Sequence, residues 1–300
     1  MIPFANIKDI PSLSSNFTFD KAINETIEQI LATANPITNQ KELQSLIFNL
    51  IDLTSLEGAD TTAKIEGMCN KVLALEKYNT IPNVAAICVY PTFAKLVSTK
   101  LKDTKINTAC VAGSFPSGQS SLAIKLQEIE WAINEGATEI DTVISRGKLL
   151  EGNYQEVFEE IVAIKKCCGK IHLKVIIESG ELQNAKNIRI ASDLAMYAGA
   201  DFIKTSTGKI SEGATYQSVY IMLSAIKDFY TITGKKIGMK PAGGIADVET
   251  AHNYLKIINH TVGKDWFNNH LFRFGASRLA NNVLNELSVI VNEPQLKNHF

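Results

Sequence analysis

Two lysines carry the chemistry that this sequence announces first. Lys204 stands in Asp201-Phe202-Ile203-Lys204-Thr205-Ser206-Thr207-Gly208-Lys209, and Lys240 stands in Lys236-Ile237-Gly238-Met239-Lys240-Pro241-Ala242-Gly243-Gly244. Both stretches read as short, buried strands. A lysine held there sits in low dielectric, which disfavours the ammonium and favours the neutral amine. A neutral amine adds to carbonyls and forms imines. Each lysine precedes a glycine-containing turn, whose backbone N–H groups can approach a phosphate closely. Schiff-base chemistry beside a phosphate cradle is the reading that follows. Spacing alone does not decide which lysine carries the imine.

Further charges interrupt apolar strands. Asp52 follows Leu50-Ile51, Asp141 lies in Glu139-Ile140-Asp141-Thr142-Val143-Ile144, and Lys174 lies in Leu173-Lys174-Val175-Ile176-Ile177-Glu178. Singly, each has a bland explanation: a strand lysine snorkels to water, and a strand-end aspartate caps a turn. As a set they differ, because burying unpaired charge costs several kcal/mol. Asp52, Asp141, Lys174, Lys204 and Lys240 satisfy one another only by meeting at a common site. The turns agree. Thr205 to Lys209 ends one strand with hydroxyls, Gly208 and a cation; Gly243-Gly244 ends the next; Gly275-Ala276-Ser277-Arg278 ends the last and opens a helix. The histidines are 172, 252, 260, 270 and 299, and only His172 falls in a strand, near its start. No histidine cluster suited to a metal is seen, and neither metal nor cofactor is expected.

Elements that could position these groups are legible as an alternation. Apolar runs occur at Ile47–Asp52, Val84–Tyr90, Asn107–Gly113, Glu139–Ile144, His172–Glu178, Phe202–Ser206, Lys236–Lys240 and Phe272–Ala276. Between them lie helical patterns, including Thr61–Tyr78, Ser121–Glu135, Tyr154–Cys167, Lys186–Ala198, Thr215–Thr231 and Val248–Ile258. Strands apolar on both faces alternating with helices predict parallel α/β architecture. Eight repeats predict a (β/α)₈ TIM barrel, and no GxGxxG follows the first strand. Residues 1–42 are predicted to form an N-terminal helical extension, irregular over Met1–Phe19 and helical over Phe19–Thr33, with the barrel at 43–300. The helix could be an interface or an intramolecular prop, and a homodimer is expected.

Bulk properties narrow the function classes. The chain has 300 residues, 45% of them hydrophobic, a formal net charge of −1 and a pI near 6.5. That balance gives no basic surface for nucleic acid. Cysteines 69, 88, 110, 167 and 168 form neither a disulfide framework nor a zinc spacing, and read as reduced core thiols. Met1 to Ser15 has no signal-peptide core, and no run nears the roughly 20 apolar residues of a spanning helix. A cytoplasmic protein without a membrane partner is expected.

At this point the sequence resembles the 2-deoxy-D-ribose-5-phosphate aldolase family of class I aldolases, from about Leu46 to Leu287. The matching segments include Ile51–Leu56, Ile87–Pro91, Phe115–Gly118, Glu139–Gly147, Leu173–Leu182, Asp201–Lys209, Lys240–Ile245 and Phe274–Ser277. Ala112–Gln119 and Gly136–Asp141 are similar to the longer, eukaryotic-type members. The resemblance implies that Lys204 forms the imine and Lys240 keeps it deprotonated. It implies that Asp141, steadied by Lys174, is an acid and base acting through water. It places Asp52, Thr54 and Thr207 around substrate hydroxyls, and Gly208, Lys209, Gly243, Gly244, Gly275 and Ser277 on the 5-phosphate of a small phosphorylated sugar. Three positions depart from the family: Ala246 and Thr92 where arginine is common, and Arg278 where a small hydroxyl residue is common. Arg278 is expected to replace part of the charge missing at 246. The chain ends Asn298-His299-Phe300, without the tyrosine that reaches the site in some members. Two other readings stay open: another class I aldolase or a transaldolase relative, and a barrel that binds sugar phosphates without turnover.

Overall fold

The computed structural model describes residues 7–14 and 22–300. Eight strands form one parallel sheet: β1 (Ile51–Thr54), β2 (Ala86–Val89), β3 (Asn107–Ala112), β4 (Glu139–Val143), β5 (His172–Ile176), β6 (Phe202–Lys204), β7 (Gly238–Lys240) and β8 (Phe274–Ala276). β1 pairs with both β2 and β8. Bridges Met239 to Phe272 and Ala242 to Gly275 join β7 to β8 and close the ring. This is the expected (β/α)₈ barrel.

The helices in chain order are α1 (Pro11–Ser14), α2 (Ile23–Leu31), α3 (Gln40–Asn49), α4 (Thr62–Leu73), α5 (Ala94–Leu101), α6 (Leu122–Asn134), α7 (Arg146–Leu150), α8 (Tyr154–Cys168), α9 (Ala185–Tyr197), α10 (Tyr216–Thr233), α11 (Val248–Thr261) and α12 (Arg278–Ile290). Side-chain caps explain where several begin. The Thr61, Ser121, Asn184 and Asp247 side chains each accept a first-turn N–H, and Thr215 forms a capping box with Ser218. Gly234 ends α10 in the left-handed conformation.

The strand expected over residues 47–52 begins later, because Leu46 to Asn49 finish α3. Leu43 and Ile47, one turn apart, share its buried face with Gln44 and Phe48. A short apolar run fits either element, and here the helical period wins. Of the irregular stretch expected over Met1–Phe19, residues 1–6 and 15–19 lie outside the described residues, and the rest holds two short pieces of helix, a 3₁₀ turn at Ile7–Asp9 and α1. Of the helix expected over Phe19–Thr33, residues 19–21 lie outside the described residues and α2 covers the centre. Ile27 and Ile30 of α2 are buried against α10 and α11. The Lys256 ammonium donates to the Leu31 carbonyl at 2.8 Å. This helix therefore props the barrel within its own chain. No helix among the described residues is long and apolar enough to cross a membrane.

The interior of the barrel is divided by chemistry. Ala86, Cys88, Ala109 and Val111 from β2 and β3 form a small apolar cluster with Leu56. The remaining wall carries the charges. Phe202 lies beneath them, its ring 6.0 Å from the Lys174 ammonium and 5.8 Å from the Arg273 guanidinium. Any side chain at position 238 would strike that ring, since a Cβ there would sit 2.3 Å from it. Gly238 is therefore required for the floor of the site.

Candidate active site

Parallel registry brings the expected charges together. Asp141 on β4 stands opposite Lys174 on β5, and Lys204 on β6 stands opposite Lys240 on β7. The Asp141 carboxylate is the hub. One oxygen accepts from Lys174 at 3.0 Å; the other accepts from Lys204 at 2.8 Å and Lys240 at 2.7 Å. Lys240 also lies 2.6 Å from Asp52, and Lys174 donates to Glu139 at 2.6 Å.

Two members of this cluster were not singled out from the sequence. The Arg273 guanidinium, 1% exposed, donates to Asp52 at 2.5 Å and Glu139 at 2.9 Å. Period-two alternation would have found both: Glu139 lies two residues before Asp141, and Arg273 two before Gly275. Counting them matters. Three carboxylates (Asp52, Glu139, Asp141) face four cations (Lys174, Lys204, Lys240, Arg273). With every group ionised the buried cluster carries one surplus positive charge. Loss of one lysine proton would neutralise it.

Lys204 is the lysine placed to lose it. Burial pushes its pKa below the ordinary lysine value; Asp141 opposes this and Lys240 reinforces it. Burial acts on Lys240 too, but Asp141 and Asp52 outweigh it and hold that ammonium above the ordinary value. Lys174 is likewise held up, chiefly by Asp141 and Glu139 against burial. Although burial favours its neutral form, Asp141 stays well below the usual carboxylate range because Lys174, Lys204 and Lys240 surround it.

Above the cluster opens a cleft of about 170 Å³. Of the three lysines only Lys204 reaches its wall, beside Thr54, Thr207 and the Ala242–Ile245 turn. Lys174, Lys240, Asp141 and Asp52 lie beneath. Asp52, expected beside substrate hydroxyls, has one carboxylate oxygen against Arg273 and the other against Lys240. Thr54 lines the cleft, with its hydroxyl donated to the Asp52 carbonyl at 2.8 Å.

The expected phosphate groups gather at one end. Gly208, Lys209, Gly243, Gly244, Gly275, Ser277 and Arg278 all line the cleft. The first turn of α12 begins there: Ser277 supplies no side-chain cap, and the Ala280 N–H donates to the Ser277 carbonyl at 3.2 Å. Gly275 has a second duty: a Cβ there would lie 3.1 Å from the Lys240 stem and 2.7 Å from Ala242. Lys209 pairs at 3.0 Å with Glu57, which the sequence reading passed over. Both side chains are solvent-exposed to a degree that keeps such a pair weak.

Removing Arg273 tests whether the cluster is held together as described. Arg273→Met is expected to destabilise the protein by about 3–5 kcal/mol, because Asp52 keeps only its lysine contacts, chiefly Lys240, and Glu139 chiefly Lys174, with the charge-paired guanidinium between them gone. Both carboxylates titrate below their ordinary values in the folded protein. Their stabilisation is therefore present above the unfolded carboxylate range and lost as pH falls through the folded values. The Arg273→Met deficit should be largest near neutrality and shrink in acid. Urea melts at several pH values check this; a deficit that grew in acid would contradict the assignment.

The chain is similar to known proteins along most of its length. The family model described as DeoC/LacD family aldolase matches residues 46–265. A Caenorhabditis elegans relative is 41% identical over 272 residues, 89% of each chain. The Homo sapiens protein named deoxyribose-phosphate aldolase is 40% identical over 277 residues, covering 87% of this chain and 86% of its own. Among solved structures, the tetrameric deoxyribose phosphate aldolase of Aeropyrum pernix superposes with a TM-score of 0.66 at 24% identity, over 89% of this chain and 98% of its own. That last likeness is one of fold.

Proposed function

The chain belongs to the DeoC/LacD family of aldolases, and from that membership we propose that it cleaves 2-deoxy-D-ribose 5-phosphate reversibly into D-glyceraldehyde 3-phosphate and acetaldehyde through an imine on Lys204. The observation that carries this reading is the position of Lys204. It alone among the clustered lysines lines the cleft, and its amine is the one whose pKa is driven down.

The steps follow from the geometry. The neutral Lys204 amine adds to the C1 aldehyde, and the resulting carbinolamine takes up a proton on its hydroxyl and loses water to give a protonated imine. A base removes the proton of the C3 hydroxyl. The C2–C3 bond breaks, its electron pair moves into the protonated imine to form an enamine, and the phosphorylated aldehyde leaves. C2 then takes a proton, and water hydrolyses the new imine to release acetaldehyde and the free amine. Asp141 lies beneath Lys204, so an intervening water is the route by which it would exchange protons with substrate. Lys240 acts as the fixed charge that keeps Lys204 neutral. The turns after β6, β7 and β8 hold the phosphate and orient the sugar. Catabolism of deoxyribose in the cytoplasm is the use that fits this chemistry.

Borohydride reduction in the presence of acetaldehyde tests the imine. A two-carbon adduct on Lys204, located by peptide mass spectrometry, is the expected result. An adduct on Lys240 would reverse the assignment, and no lysine adduct would favour a sugar-phosphate-binding barrel without turnover.

Arg278 offers a separate test of the phosphate end. It is exposed, lines the cleft, and has no carboxylate partner among the described residues. Arg278→Ala is expected to raise KM for the phosphorylated sugar about 10-fold, more than it lowers kcat, as loss of a charge-assisted contact would. Unchanged KM would show that Arg278 does not replace the charge absent at Ala246.

A further inference from the structure

Thr207, expected to face substrate hydroxyls, is already engaged from behind. Its hydroxyl donates to the Glu178 carboxylate at 2.5 Å, and its backbone N–H donates to the same carboxylate at 3.0 Å. The Thr207 oxygen in turn accepts from the Lys209 N–H at 3.1 Å. The carboxylate thus holds Thr207, whose hydroxyl oxygen in turn holds the far end of the tripeptide Thr207-Gly208-Lys209, which turns through the positive φ of Gly208 at the cleft wall.

Glu178 never reaches the cleft. It is fully buried at the end of β5 and sits at φ 55, in the left-handed region that glycine ordinarily occupies. Its remaining charge is met by Arg146, which donates to it at 3.2 Å. Arg146 also pairs with Glu181 at 2.8 Å and donates to the Pro116 and Ser117 carbonyls. The turns after β3, β4, β5 and β6 are thereby tied into one strap. A purely structural ion pair would need no link to Thr207, whereas here two of the three donors to Glu178 come from that residue.

We propose that Glu178, oriented by Arg146, is a positioning residue that clamps the Thr207–Lys209 turn in the shape that receives the substrate phosphate. The clamp rests on the reading of the cleft as a phosphorylated-sugar site. Glutamine at 178 keeps one acceptor but turns an amide toward Arg146 or Thr207, so the turn loses its fixed shape. Phosphorylated substrate should suffer more than its unphosphorylated counterpart.

The measurement is the ratio of kcat/KM for 2-deoxy-D-ribose 5-phosphate to that for 2-deoxy-D-ribose. Glu178→Gln is expected to lower this ratio about 10-fold, the scale of a charge-assisted hydrogen bond. Thr207→Val should lower it similarly and Thr207→Ser, which keeps the hydroxyl, should restore it. The double variant Glu178→Gln with Thr207→Val should fall little below either single one, because both remove the same contact. An unchanged ratio in Glu178→Gln, or full additivity in the double variant, would overturn the clamp. Acetaldehyde trapping on the same preparations separates the readings. Trapping in parent and variant with an unchanged ratio sinks the clamp alone; absence of trapping in the parent sinks the imine reading and the clamp with it.

Discussion

Replacing Lys204 by methionine is expected to lower kcat on the order of 10⁴-fold or more, since under the proposed mechanism it removes the group that bonds covalently to substrate. Folding should survive. Methionine keeps the length and apolar stem, and the four cations around Asp52, Glu139 and Asp141 become three. Whatever positive charge a protonated Lys204 adds to the cluster is gone, so the melting temperature should hold or rise. This combination distinguishes the proposal from a structural role for Lys204, in which activity and stability would fall together. The pH dependence follows from the same assignment. Only the neutral amine attacks, so kcat/KM in the parent rises with pH until Lys204 is deprotonated. That limb should end below the ordinary lysine value, because burial and Lys240 both push the Lys204 pKa down. Substantial turnover in Lys204→Met, with an acetaldehyde adduct on Lys240, would defeat the assignment.

How much of this was legible beforehand depends on the physical scale involved. The barrel was readable because its signals are local. Strands such as Glu139–Val143 are continuous apolar runs broken by a charge, and helices such as Leu122–Asn134 start at a capping serine. The first strand was misplaced because Leu46-Ile47-Phe48 satisfies either period until its partners are known. Within the site, Lys204, Lys240, Lys174 and Asp141 stood out as charges inside apolar runs. Glu139 and Arg273 sit at the starts of their runs, where a charge looks like an ordinary strand edge. Only alternation, counted back from Asp141 and Gly275, shows that they face inward. Glu178 was hidden for another reason: its role depends on Thr207, 29 residues away, and on Arg146, 32 residues away. No local pattern encodes such a contact. Asp52, expected beside the substrate, does not line the cleft: its carboxylate lies between Arg273 and Lys240.

Asp141→Asn should separate the two halves of the reaction. The amide keeps the size of the carboxylate but removes the one charge that touches all three lysines. Stability should fall by about 3–5 kcal/mol, since ammoniums remain buried against too few anions. Some of those lysines will then release protons in the folded state before they do so unfolded. A folded pKa below the unfolded one makes stability climb as pH rises between them, so the deficit should narrow toward alkaline pH. Chemistry should split differently. The Asp141 carboxylate is the chief group that raises the Lys204 pKa against burial, and its loss lowers that pKa further. Imine formation with acetaldehyde should therefore persist, and the rising limb of its pH dependence should move to lower pH. Turnover of the sugar should nevertheless drop about 10²- to 10⁴-fold, the scale of a lost acid–base group. An adduct that forms readily in a protein that barely turns over would locate the Asp141 contribution in proton transfer. If the rising limb moved to higher pH instead, Asp141 could not be the group that holds the proton on Lys204, and the charge balance inferred for the cluster would fail with it.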